Sequence, residues 1–304
     1  MSADHKPGPF SHWRQAIQPH ERPPADALPG NLPPYFQFSQ NSLQDYVDCA
    51  RRFQLRYIIG QRWPAAQSEP IEEHERLMAQ GTEFHLLVQR HLKGIPAEQL
   101  APHDYPLAEW WEAYLRFPPP NLPAEIRVAE AQFSTPMGRY RLLAKFDLVA
   151  MTPGERAVIV DWKTTRSRPP RSTLARRLQT RVYPFVLVEA AAGLFGGAVD
   201  PEQVTLIYWF ASAPTDPESF RYSANEHAEN RAYLSELIGE ILARDKAVWP
   251  LTDDEFHCRY CVYRSLCDRG VQAGWLEEGE LEADAVDVDF DFEFDLDEID
   301  EIKF

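Results

Sequence analysis

Two stretches of the chain, Ile126 to Thr135 and Tyr140 to Met151, largely carry apolar residues with a period of two, and a third strand-like stretch, Arg156 to Thr164, opens on the unbroken apolar run Ala157 to Val160. That period is the signature of strands. The segments "PMG" and "TPGE" between them hold turn residues, so the three read as an antiparallel meander. Elsewhere the period is helical. Gln40 to Ile59, capped by Ser39 or a neighbour, places Leu43, Tyr46, Val47, Phe53 and Tyr57 on one face. Further helices are predicted over Pro70 to Leu92, Leu107 to Phe117, Ser172 to Ala192 and Asn225 to Arg244, and a further strand over "QVTLIYWFA", 203 to 211. No segment repeats.

The ends of the chain break this pattern. Residues 1–34 hold eight prolines and no periodicity, which reads as a flexible arm. From Trp275 onward acids interleave with aromatics, ending in "DFDFEFDLDEIDEIKF". Mutual repulsion opposes any isolated strand there, so 273–304 reads as a disordered acidic tail. It would serve as a solubility tail, as a DNA mimic over a basic surface, or as a ligand for a partner protein. The tail changes the meaning of the net charge. The chain carries −16, but Ala273 to Phe304 holds 14 acids and one lysine, a net of −13, which leaves −3 for the other 272 residues. The body is nearly neutral, and its charge does not exclude nucleic acid. At 304 residues and 44% hydrophobic content, the chain can build one large core, over 35–272. No run of about 18 apolar residues and no secretory leader occurs, so no membrane partner and a cytoplasmic location are expected. There is no G-x-x-x-x-G-K-[ST] loop, hence no nucleotide partner and no built-in ATP motor.

Against that background, "VIVDWKTTR", 158 to 166, ends a core-type strand on Asp161 and Lys163. Residues two apart on a strand share a face, so the acid and the lysine lie together while Trp162 packs on the other side. Asp147, in "AKFDLV", sits in the same setting on the preceding strand. Two carboxylates from neighbouring strands suit a divalent cation such as Mg²⁺, and a lysine beside them can orient water or steady charge on a phosphate. In that role, as strand-end polar groups that act on metal and water, Asp161 or Lys163 could be lost with folding largely intact; the alternative is a structural ion pair at a strand end. The acid-x-lysine spacing alone does not choose.

Two further motifs do. "GTEFH" sets Gly81 four residues before His85 on a predicted helix, and "QTRVY" sets Gln179 and Tyr183 one helical turn apart after the lysine strand. The order from G-x-x-x-H helix, through the Asp strand and the D-x-K strand, to the Q-x-x-x-Y helix resembles the RecB-like branch of the PD-(D/E)XK nuclease superfamily. The resemblance spans roughly Phe38 to Gly270. It implies an α/β, restriction-endonuclease-like core: a mixed central sheet flanked by helices. It also implies that His85, Asp147 and Asp161 bind the catalytic metal, Mg²⁺ or Mn²⁺, that Lys163 assists hydrolysis, and that Gln179 and Tyr183 support the lysine or the substrate. Family members often carry Gly three residues before the first acid; Ala144 stands here. Glu130 is a further carboxylate close in the pattern.

The four cysteines form a separate constellation. Cys258, Cys261 and Cys267 follow C-x₂-C-x₅-C, and Cys49 lies about 200 residues upstream in "YVDCARRFQLRYI". Four thiolates suit Zn²⁺ or an iron–sulfur cluster, and spacing does not separate the two. One distant cysteine with a C-terminal triplet resembles the iron–sulfur staple of AddB-type nuclease domains and of the CRISPR-associated RecB-family exonucleases. That resemblance implies a 4Fe–4S cluster in a helical subdomain, closing a loop of about 210 residues. Arg166, Arg168, Arg171, Arg176, Arg177 and Arg181 fall in sixteen residues without an acid, an expected phosphate track beside the site. Arg51, Arg52 and Arg56 extend it. Together these readings predict a Mg²⁺- or Mn²⁺-dependent deoxyribonuclease, an exonuclease on single-stranded DNA or DNA ends, in CRISPR adaptation or in recombination and repair. The competing expectation is a DNA-binding scaffold subunit that keeps the fold without cutting.

Overall fold

The computed structural model describes residues 32–33, 35–61, 69–195, 197–244, 248–258 and 261–270. The acidic tail and nearly all of the proline-rich arm lie outside the described residues. Leu32, at the end of that arm, is already buried in the main core.

A mixed sheet forms the centre. Its strands are β1 (Gln37–Ser39), β2 (Ile126–Met137), β3 (Tyr140–Thr152), β4 (Arg156–Lys163), β5 (Val204–Phe210) and β6 (Glu218–Arg221). β2, β3 and β4 make the expected antiparallel meander. β2 pairs along nearly all of one edge of β3. The other edge is shared: β1 lies parallel against Arg141–Leu143, and β4 lies antiparallel against Leu148–Thr152. β5 runs parallel to β4, and β6 closes the far side antiparallel to β5. β1 and β6, at three and four residues, are too short to show a period in the sequence.

The helices are α1 (Gln40–Asp48), α2 (Ala50–Phe53), α3 (Glu69–Leu92), α4 (Ala97–Leu100), α5 (Leu107–Arg116), α6 (Arg171–Arg176), α7 (Leu178–Phe195) and α8 (Ala224–Ala243). They cover the sheet on both faces. On one face α1, α7 and α8 pack over Phe38, Phe146, Tyr208 and Phe210; on the other, α3 and α5 bring Phe84, Trp111 and Tyr114 against Trp162 and Trp209. Trp162 thus points away from its charged neighbours, as alternation requires, with its ring 5.5 Å from Tyr114 and 5.7 Å from Trp209.

Two helices predicted as continuous are broken. The first keeps its Ser39 cap, a reciprocal box with Ser42, but stops at Cys49, which is extended (φ −162, ψ 108). Cys49 closes the turn on the Asp45 carbonyl, and the Arg51 amide beyond the break bonds the Pro250 carbonyl at 3.1 Å. The chain continues as α2 and a π-helical turn over Gln54–Ile58. The second break is at Arg177 (ψ 139), between α6 and α7. Periodicity survives such one-residue interruptions, which is why the pattern did not show them.

A second irregularity shapes the site. Along β2, Ile126 and Val128 face the core beneath α7, but beyond Glu130 the core-facing residues become Ala131, Phe133 and Met137. Along β3, Leu142, Ala144 and Phe146 give way to Val149 and Met151 on that same face. Both strands change phase at one level, while their register holds on either side at Ala129↔Leu148 and Ala131↔Phe146. Glu130 takes up the change with φ +53.

The chain from 248 to 270 returns to α1 and α2. Trp249 stacks on Phe53 (5.7 Å) and donates its amide to Gln54 (3.0 Å), and Tyr263 bonds the Gln61 carbonyl (3.2 Å). No helix among the described residues is long and apolar enough to cross a membrane.

Candidate active site

The end of β4 places Asp161 and Lys163 on the α7 face of the sheet, and both are buried, 3% and 5% exposed. The lysine Nζ lies 3.0 Å from Asp161 Oδ2 and 5.7 Å from the centre of the Tyr208 ring. Gln179, in the first turn of α7, donates to Asp161 Oδ1 at 2.6 Å. The carboxylate is therefore held from two sides. Its depth corrects the expectation that these strand-end polar groups contribute little to folding: a buried pair must be kept whole, because losing one partner strands the other away from water.

Asp147 lies across the gap where β3 and β4 part. Their pairing ends at Leu148↔Val160, so the Trp162 amide has no ladder partner, and Asp147 Oδ2 accepts from it at 2.7 Å. Asp147 Oδ1 faces His85 Nδ1 at 3.2 Å. His85 comes from α3, on the opposite face of the sheet. Gly81 brings that helix close: a Cβ there would meet Thr164 Oγ1 at 3.0 Å, one residue past Lys163.

His85, Glu130 and Asp147 present ligand atoms that all lie within 4.8 Å of one another. Asp161 stands outside that close group, although its charge is felt there. Burial pushes the His85 imidazole down, but Asp147, then Asp161 and Glu130, raise it to about 9. Burial alone would raise Asp147; His85, the Trp162 amide and Lys163 bring its carboxyl below the ordinary range. The surrounding acids thus favour the protonated imidazole, with Asp147 in contact and Asp161 and Glu130 adding their charge. The donor set, one imidazole nitrogen with carboxylate oxygens, is one that Mn²⁺ and Mg²⁺ accept. A cation entering such a site would displace the His85 proton.

The remaining sequence-predicted residues are placed as follows. Tyr183 is buried one turn beyond Gln179, its ring 4.9 Å from Phe146 of β3, and its hydroxyl accepts from Gln40 Nε2 at 3.4 Å. The arginine track is divided. Arg168 and Arg171 both bind Glu218 of β6, Arg168 at 2.5 Å. Arg181 bonds Asn230 of α8 at 2.8 Å, and Arg177 is 7% exposed. Arg166 and Arg176 are exposed. Of the extension, Arg52 binds Asp45 and Asp48 at 2.7 and 2.6 Å, and Arg56 binds Asp45 at 3.1 Å. Several of these arginines therefore brace loops and helix ends.

The four cysteines are partly buried and belong to one neighbourhood: Cys49 at the α1 break, Cys258 and Cys267 ending short 3₁₀ turns, and Cys261 between them. Burial raises the Cys258, Cys261 and Cys267 thiols, and the charge of Cys49 adds to each rise. Among the described residues, however, no three of the four sulfurs gather as closely as the ligand atoms of His85, Glu130 and Asp147. The donor set fits a four-thiolate group.

Sequence reasoning missed Tyr208 and Glu218 and gave Glu130 only a passing place. Tyr208 was within reach: it pairs with Asp161 in register and so shares its face. Its hydroxyl contacts Thr180 Oγ1 at 2.8 Å, and burial raises its ionisation far above the usual tyrosine range. Glu218 had no signal, since β6 is too short to predict.

Comparison with known proteins bears on this arrangement. No curated protein sequence matches the chain. Among similar solved structures, SSO0001 shares 13% identity, with 78% of this chain and 87% of that one covered and a TM-score of 0.37. A candidate exonuclease from Eubacterium rectale shares 11% identity, with 79% and 90% covered and a TM-score of 0.47. A family model described as the PD-(D/E)XK nuclease superfamily matches residues 37–268.

Proposed function

The chain belongs to the PD-(D/E)XK nuclease superfamily, and from that premise we propose that it is a Mg²⁺- or Mn²⁺-dependent deoxyribonuclease, an exonuclease on single-stranded DNA or DNA ends. The observation that carries the reading is the meeting, at the fork between β3 and β4, of a buried Asp161–Lys163 pair with the His85–Asp147 pair. His85, Asp147 and Asp161 would hold the cation. When bound, it would stabilise negative charge on the phosphate and the leaving oxygen.

The protein's own groups do the rest. Gln179 and Lys163 fix the Asp161 carboxylate from both sides. The Trp162 amide and His85 fix Asp147. Lys163, 3.0 Å from Asp161, would turn its ammonium toward an attacking water or a phosphate oxygen. The exposed Arg166 and Arg176 lie on the segment between Lys163 and Gln179, where guanidinium groups suit a phosphate backbone without reading bases.

The substrate class and the pathway rest on the resemblance to the RecB-like branch: exonuclease action in CRISPR adaptation or in recombination and repair. The same resemblance assigns Cys49, Cys258, Cys261 and Cys267 to a 4Fe–4S cluster, with zinc as the alternative, within a nuclease domain spanning 35–272. Such a group would tie the α1 break to the returning C-terminal segment.

The test uses DNA labelled at one end, single-stranded or duplex, with free or blocked ends, incubated with the full chain and Mn²⁺. Loss of mononucleotides or short products from free ends, and protection by blocking, is expected. Cleavage of circular single strands at equal rate would replace exonuclease with endonuclease action. Inertness toward all these DNAs, in protein shown to be folded and to bind Mn²⁺, would remove DNA as the substrate.

A further inference from the structure

We propose that Glu130 is an additional ligand of the divalent cation, delivered to the site by the phase change that β2 and β3 share. The proposal rests on the reading that His85 and Asp147 bind such a cation. Its own support is threefold. The Glu130 carboxylate lies within 4.8 Å of the ligand atoms of both residues. Glu130 is the residue at which β2 changes phase, directly across the ladder from Asp147, where β3 changes phase too. It adopts φ +53, a left-handed backbone that a glutamate enters only at a cost.

The plainer role for Glu130 is its ion pair with Lys145 at 2.8 Å. That lysine is 56% exposed, and exposed pairs contribute little to stability. Such a pair does not repay the strain, whereas a cation ligand would. Glu130 also brings to three the carboxylates around His85 and Lys163. A hard divalent cation that favours oxygen donors gains from the third.

The two roles separate in Glu130→Gly, Glu130→Gln and Lys145→Ala, followed by Mn²⁺ calorimetry on the full chain and by thermal unfolding in chelator. Glycine removes the carboxylate and relieves the left-handed backbone. The expected result is a Glu130→Gly protein that unfolds within a few degrees of the unaltered one yet binds Mn²⁺ about tenfold or more weakly. Glu130→Gln, of the same shape, should lose affinity likewise, and Lys145→Ala should bind Mn²⁺ at least as tightly as the unaltered protein. Unchanged Mn²⁺ affinity in both Glu130 variants would overturn the assignment while leaving His85 and Asp147 in place. No Mn²⁺ binding by the unaltered protein would overturn the metal-site reading, and this proposal with it.

Discussion

Replacing Lys163 by alanine should unfold the protein at a lower temperature as well as stop its chemistry. Asp161 and Lys163 are 3% and 5% exposed and lie 3.0 Å apart. At that distance, with an effective dielectric constant of about 20, their attraction is roughly 5 kcal/mol. Alanine removes it and leaves a carboxylate out of water beside Gln179. Breaking a buried pair from one side costs about 3–5 kcal/mol, a large share of a total stability of about 5–15 kcal/mol. For a domain near this size, each kcal/mol lowers Tm by about 2–4 °C, so Lys163→Ala should lose on the order of 6–20 °C. Removing both charges is a different perturbation. Asp161→Asn with Lys163→Met leaves no stranded ion, and its loss should be well below the sum of the single losses. Calorimetric unfolding of the two single variants and the double variant in chelator, with a cleavage assay beside it, measures this. All three should be inactive. A Lys163→Ala protein within about 2 °C of the unaltered one, or single losses that simply add, would show that the pair is neither buried nor coupled as described.

Other outcomes follow from separate parts of the structure. Cys261→Ser should lower thermal stability, and protein purified without oxygen should be brown with iron and labile sulfide; colourless protein with one zinc per chain would assign the four cysteines to zinc instead. In chelator, His85 is held at about 9 against an ordinary 6.5, so the stability it contributes is fully present below about pH 6.5 and is lost as pH rises through 9. Tm measured across that window should fall, and His85→Asn should remove the fall; an equal slope in the variant would place the titration elsewhere. Arg176 is exposed, so Arg176→Ala should reduce the slope of log affinity for DNA against log salt by about one unit without changing Tm. An unchanged slope would turn that side of α6 away from DNA.

The sequence carried the frame of the site because strand alternation is a strict rule. From it came the shared face of Asp161 and Lys163 and the opposite packing of Trp162, both observed. The meander and the long helices were legible for the same reason. What stayed hidden is what alternation cannot express. The phase change at Glu130 and Asp147 breaks the rule on two strands together, and only a three-dimensional register reveals it. The turns at Cys49 and Arg177 interrupt helices whose periodicity continues on either side. The arginine run looked uniform as a string, yet Glu218, on a strand of four residues, draws Arg168 and Arg171 into a brace. The burial of the Asp161–Lys163 pair was also illegible, because α7 and β5 close over it from distant parts of the chain.

The most direct test of the account compares the unaltered protein with Asp147→Asn in a metal-dependent cleavage assay on single-stranded DNA. Asparagine keeps the size of the side chain and an oxygen for the Trp162 amide, while removing the charge that faces His85. The account predicts cleavage by the unaltered protein with Mn²⁺ or Mg²⁺, none in chelator, and a loss of at least about a hundredfold in Asp147→Asn despite a cooperative unfolding transition. Cleavage by Asp147→Asn at the rate of the unaltered protein, or by the unaltered protein in chelator, would contradict it.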